Sequence, residues 1–315
     1  MFNYSNNSLI DYNESIPSAV KFWLYLILLI PSIICSVFVL CHLLWKRSLR
    51  HALHNRAIVI FLFICLIHEI TIYPWMLHFY NMEGIWKRTT LFCTVWLFID
   101  CGLYYTQTIL FAWATIERHI LIFHDKWIST KKKRLLVHYL PLLILVLYCL
   151  IYYIVVTFFP PCENIFDAYS MICIELCLYA SSSSLYTYDT IVHQVLPILT
   201  IVGFSIGLLI RIRLQKHHIG QSLKWRKHWK MTVQLLLVSV IYLIFGLPLI
   251  VTSVLHLCGV PLDVTAKFRE YARFLNDCTM ILCPIVSAIS LPKLRNERQN
   301  TLRVRHRVRA IAPVT

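Results

Sequence analysis

The sequence predicts an all-α membrane protein: a bundle of seven transmembrane helices with its N-terminus outside and its C-terminus inside. Three observations carry this. First, 58% of the 315 residues are hydrophobic and only 14% charged, with a mean hydropathy of +0.66, whereas a soluble domain carries about 25% charge. Second, apolar runs of about 20 residues or more recur, long enough to cross the hydrocarbon as helices. They are too long, and alternate too little, for the strands of a barrel. Third, the net charge of +15 is unevenly spread: all of the 30 Lys and Arg except Lys21, Lys87, Arg88, Lys267, Arg269 and Arg273 fall where this topology places the inner face. Orientation rules produce such a bias, so nucleic acid is not needed to explain the charge.

In chain order, residues 1–21 form a polar outer tail with N-x-S sequons at Asn3, Asn6 and Asn13, which fit glycosylation of an outer terminus. No charged n-region and cleavage site precede the first apolar run, so no cleaved signal peptide is expected. The core, 22–291, holds the spans. Span one covers about 22–45 and ends at Lys46-Arg47, and span two covers about 57–79 with His68, Glu69 and Pro74. Span three is Cys93–His119. Span four covers about 135–159, stopping at Pro160-Pro161, and span five about 188–212 with Pro197. Span six covers about 231–256 with Pro248, and span seven about 271–291 with Pro284. Helix prolines are tolerated in a bundle because neighbours meet the lost backbone bond. A basic inner tail, 292–315, closes the chain. There is no internal repeat, no metal-spaced Cys/His cluster, no phosphate loop and no nucleophile elbow. No cofactor, metal or enzymatic activity is therefore expected.

Span three organises the rest. Trp86 precedes Cys93 by seven residues, Cys93 precedes Arg118 by 25, and the run closes on Glu117-Arg118-His119 followed by an apolar-basic stretch. This resembles the third span of rhodopsin-like (class A) G-protein-coupled receptors, with an outer-loop Trp, a disulfide Cys and a D/E-R-Y motif. The resemblance implies a receptor of the plasma membrane that transmits an extracellular ligand to a heterotrimeric G protein. It implies that Arg118 meets the G protein on activation, that Glu117 restrains it at rest, and that Glu117, Arg118 and His119 form the coupling site. It also implies a disulfide from Cys93 to the second outer loop. Cys177, 20 residues before Pro197, is the preferred partner, leaving Cys162 and Cys173 to close a local loop; Cys93 with Cys173 is the alternative. A boundary ion pair, with Arg118 snorkelling to the interface, is the plainer reading of the motif.

The resemblance is uneven. Pro197, Pro248 and Pro284 stand where the family keeps prolines. The tryptophan of its C-W-x-P motif is Gly246, the N-P-x-x-Y of span seven reads Cys283-Pro284-Ile285-Val286-Ser287, and the usual Asp of span two falls at Cys65. The chain thus reads as a divergent member.

Candidate ligand residues follow from intramembrane charge, which is costly and usually functional. Asp100 lies two turns below Cys93, where amine receptors of the family keep an acid for the ligand's ammonium. Asp277, Asp189, His193 and Tyr104 are expected around the same cavity, with Phe98 and Trp96 as apolar or cation–π neighbours. No basic residue sits beside Asp100 in sequence, so a cationic ligand is expected, an amine or a basic peptide. Bundle-internal hydrogen bonding is the competing role for each of these groups. The rival function is a seven-helix transporter or ion carrier with Asp100, Asp277 and Glu69 along its path, for which repeat symmetry would speak.

Overall fold

A computed structural model describes residues 16–45, 53–82, 86–123, 130–167, 171, 173–177, 183–218 and 236–290. Within them stand seven helices long and apolar enough to span a membrane. Helix α1 is Ser18–Trp45 and α2 is Leu53–Asn81. Helix α3 runs through Thr90–Leu97, a π-helical turn at Phe98–Leu103, and Tyr104–Phe123. Helix α4 comprises Lys131–Arg134, a π turn at Leu135–Tyr139, and Leu140–Phe158. Helix α5 comprises Ser183–Asp189, a π turn at Thr190–Val195, and Leu196–His218. Helix α6 spans Leu236–Leu257 around a π turn at Tyr242–Gly246, and α7 is Leu262–Ser290. All seven expected spans are present, with α7 starting nine residues before its expected edge. The sequons, most of the inner loops and the basic tail lie outside the described residues.

Helix is the form such runs must take, because hydrocarbon offers no partner for an open backbone N–H or C=O. The prolines shape them in two ways. Helices α1, α2 and α7 run on through Pro31, Pro74 and Pro284. In α4, α5 and α6 a π turn instead ends two residues before Pro141, Pro197 and Pro248. Proline lacks an N–H and its ring crowds the carbonyl four residues earlier, and the wider turn relieves that crowding. The fourth π turn, in α3, contains no proline. It carries Asp100 and Gly102, and a Cβ at Gly102 would sit 3.3 Å from Cβ of Tyr153 on α4. Glycine here lets the two helices close up.

Helix α3 is central, packing on α2, α4 and α5, while α1 packs on α2 and α7. Apolar residues face outward along α1 (Trp23, Ile27, Ile30, Ile34) and α4 (Leu143, Ile144, Leu147, Ile151), the pattern of a lipid-facing perimeter. Thr89 caps the start of α3, its side chain accepting from the Phe92 N–H.

Between α4 and α5 lies a short antiparallel hairpin, β1 (Ile165–Phe166) with β2 (Ile174–Glu175), pairing Ile165 with Glu175 and Phe166 with Ile174. It decides the disulfides, and it corrects the sequence reading. Cys93 is joined to Cys173, and Cys162 to Cys177, rather than Cys93 to Cys177. The register places Cys162 and Cys177 almost opposite each other beyond one end of the hairpin, 5.9 Å apart at Cα. Cys173 directly precedes β2, which packs on the first turns of α3. The span-five proline carries no information about this register.

Candidate functional site

At the disulfide end, a cap of rings covers the bundle. Trp75, Trp86, Phe92 and Trp96 pack edge-to-face or tilted on one another. The Arg88 guanidinium lies over Trp96, 5.3 Å from its centroid, and over Phe79. It also donates to the Met171 carbonyl at 3.1 Å. Burial lowers the Arg88 pKa, against which the charge of Asp167 acts. Trp96, expected as a neighbour of a ligand cation, already holds the protein's own cation. Phe98 packs on Phe158.

Below the cap, polar groups from α1, α2, α3 and α7 converge. The π turn of α3 presents Asp100, whose side chain is 45% exposed and whose Oδ1 lies 3.2 Å from His68 Nε2. Asp277 accepts from the Tyr25 hydroxyl at 2.9 Å, and its backbone carbonyl accepts from the Tyr73 hydroxyl at 2.6 Å. Asp100 and Asp277 lie within electrostatic reach of each other, as do Arg273 and Lys21 with Asp277. Lys21 makes its ion pair with Glu270 at 2.7 Å. Arg273, one turn from Asp277 on α7, brings a positive charge to Asp277.

A separate small cavity of about 20 Å³, room for about one water, opens between α3, α5, α6 and α7, lined in part by Tyr104, Thr108, His193, Gln194 and Asn276. Its donors and acceptors are neutral hydroxyls, amides and an imidazole. The Tyr104 hydroxyl donates to Asn276 Oδ1 at 2.6 Å, tying α3 to α7. Gly246 stands beside this tie. A Cβ there would lie 3.3 Å from the Ile198 Cδ1 and 3.8 Å from Asn276 Oδ1, so Ile198 and the Tyr104–Asn276 pair occupy the space a larger residue would need.

The expected ligand residues therefore divide. Tyr104 and His193 line the cavity, while Asp100 and Asp277 sit together at the α2–α3–α7 junction. Asp189 belongs to neither group. It is buried, accepts from the Tyr153 hydroxyl at 2.9 Å, and lies 3.0 Å from His193 Nδ1. The other ring nitrogen of His193 meets the Tyr148 hydroxyl at 3.0 Å. Asp189 is a brace between α4 and α5. Asn276, Gln194 and Tyr25 are not singled out by the sequence, and Arg273 is placed there only near the top of span seven. Asn276 and Arg273 flank Asp277 on its own helix, which was the available signal. Tyr25 had none.

At the opposite end, Glu117 contacts His138 Nδ1 of α4, both buried. The carboxylate expected to restrain Arg118 thus spends its close contact on α4. Arg118 is 5% exposed, and the Arg211 guanidinium donates to His119 Nε2 at 3.0 Å, joining α5 to α3. Among the described residues no group of three or more His, Cys, Asp or Glu has the geometry to hold a metal.

In comparisons with known proteins, no family model matches the chain and no curated protein matches it.

Proposed function

We propose that this chain is a divergent rhodopsin-like G-protein-coupled receptor of the plasma membrane, with its glycosylated N-terminus outside, and that it is not an enzyme. The carrying observation is the build of α3. One end is clamped by the Cys93–Cys173 disulfide, an acid opens on a π turn nearby, and Glu117-Arg118 lies buried at the far end. A ligand at Asp100 and a partner at Arg118 then act on one helix. Signalling is the linkage between them: each shifts the same equilibrium by its preference for one state. In this state Arg118 is covered, so coupling to a heterotrimeric G protein requires the helices around it to part. The half-exposed Asp100, with one long contact to His68, supports a ligand bearing an ammonium or guanidinium, an amine or a basic peptide. Tyr104 and His193 line the neighbouring small cavity, which would have to widen to take the ligand's remainder.

Reconstitution with a promiscuous G protein tests this. Guanine-nucleotide exchange that depends on the chain is expected, and Arg118→Ala should abolish it while surface level stays near wild type. Substrate flux without exchange would identify a transporter instead.

A further inference from the structure

Glu69 is fully buried, at 0% exposure, on the face of α2 that meets α1 and α7. Its Oε1 contacts Ser32 Oγ, and its Oε2 accepts from the Ser36 hydroxyl at 2.9 Å. Ser32 Oγ also lies 2.6 Å from the carbonyl oxygen of Ile281, three residues before Pro284 of α7. A serine hydroxyl carries one proton, and a backbone carbonyl can only accept. If Glu69 were a carboxylate, the single Ser32 proton would face two acceptors, and one close oxygen pair would have no hydrogen between its members. A neutral carboxyl resolves every contact. Glu69 Oε1–H donates to Ser32 Oγ, Ser32 donates to Ile281 O, and Ser36 donates to Oε2. The groups whose charge state bears on Glu69 are Cys35 on α1, Cys65 and Tyr73 on α2, and Cys283 on α7. These are thiols and a phenol, none of them a cation that would hold an anion in so dry a place.

We propose that Glu69 is a proton-binding site, held as the neutral acid, whose proton latches α1 and α2 to the Pro284 turn of α7. Loss of that proton to water leaves a carboxylate, which draws the Ser32 hydroxyl to itself as a charge-assisted bond. The Ile281 carbonyl then loses its donor, and α7 loses one of its ties to α1. The site is independent of the receptor reading, since it needs neither a ligand nor a G protein.

Glutamine is the discriminating replacement, because its NH₂ and C=O reproduce the donor and acceptor of the neutral acid. The full chain in lipid nanodiscs, wild type and Glu69→Gln, is compared by infrared spectroscopy and thermal unfolding. At neutral pH the wild type should show a protonated-carboxyl C=O band that is missing from Glu69→Gln and kept in Asp277→Asn. Glu69→Gln should unfold within about 2–4 °C of the wild type, equivalent to under about 1 kcal/mol. Above about pH 5, where an unfolded Glu is ionised, native wild type binds one more proton than the unfolded chain. Raising the pH should therefore destabilise the wild type relative to Glu69→Gln, by up to about tenfold in the unfolding constant per pH unit. An unchanged carboxyl band would overturn the proposal. So would a Glu69→Gln chain that fails to fold, or that loses as much stability as Glu69→Ala.

Discussion

Glu69 on α2 and Asp100 on α3 are acids among apolar helices, yet they are solvated in opposite ways. Glu69 lies in a closed pocket with both oxygens bonded to serines of α1. Asp100 sits on a π turn with its side chain 45% exposed and one contact, at 3.2 Å, to His68. A buried polar group costs free energy unless its partners are complete. Glu69 has them within the protein; Asp100 leaves lone pairs for something else to meet. The difference separates a carboxyl that holds the bundle together from one that is available to a ligand.

The comparison can be broken or sharpened by substitution. The largest effect is expected at the cap over Asp100. Cys93→Ala removes a bridge whose loss costs roughly 2–5 kcal/mol in small secreted domains, so surface level should fall sharply. Peptide mapping should recover Cys93 joined to Cys173, and a Cys93–Cys177 peptide would contradict the hairpin register. Next is Glu69→Ala, which removes the acceptor of the Ser36 hydroxyl, at about 1–3 kcal/mol for a buried group left unmet, and leaves Ser32 bonded to the Ile281 carbonyl alone. Asp100→Ala should unfold near the wild-type temperature, and equal losses at the two acids would erase the distinction between them. Asp100→Asn should weaken a cationic agonist by about tenfold, near 1.4 kcal/mol, with folding intact, whereas Glu69→Gln should leave potency alone. A best agonist that is neutral or anionic would end the cationic-ligand reading. The smallest shift is expected for Ser36→Ala, which deletes one hydrogen bond to Glu69 worth about 1 kcal/mol, seen as a slightly lower thermal midpoint.

Much of the fold was legible in the sequence because its cause is local. A run of about 20 apolar residues must become a helix in hydrocarbon, whatever surrounds it. Each expected span is found, and of the acids singled out by their cost in a membrane Glu69 and Asp189 are buried while Asp100 is half-exposed. The proline signals were only half legible. Pro197 and Pro248 follow π turns, but Pro74 and Pro284 sit in continuous α-helix. The residue type fixes the missing N–H, and the neighbours decide how the helix absorbs it.

Which groups meet was another matter. From sequence, Asp100, Asp277, Asp189, His193 and Tyr104 read as one site. In space Asp189 braces α4 against α5, and the others form two adjoining groups. Cys177 was preferred over Cys173 for Cys93, and the register of a four-residue hairpin reversed that choice.

By itself, then, the chain determined seven membrane-spanning helices, their edges to within nine residues, and the charge bias along its length. Tertiary structure alone decided the partners: Ser32 with Ile281 across 249 residues, Tyr104 with Asn276 across 172, and Cys93 with Cys173 across 80. Helical periodicity says which residues share a face. It does not say which other helix that face will touch, because that depends on how all seven pack at once.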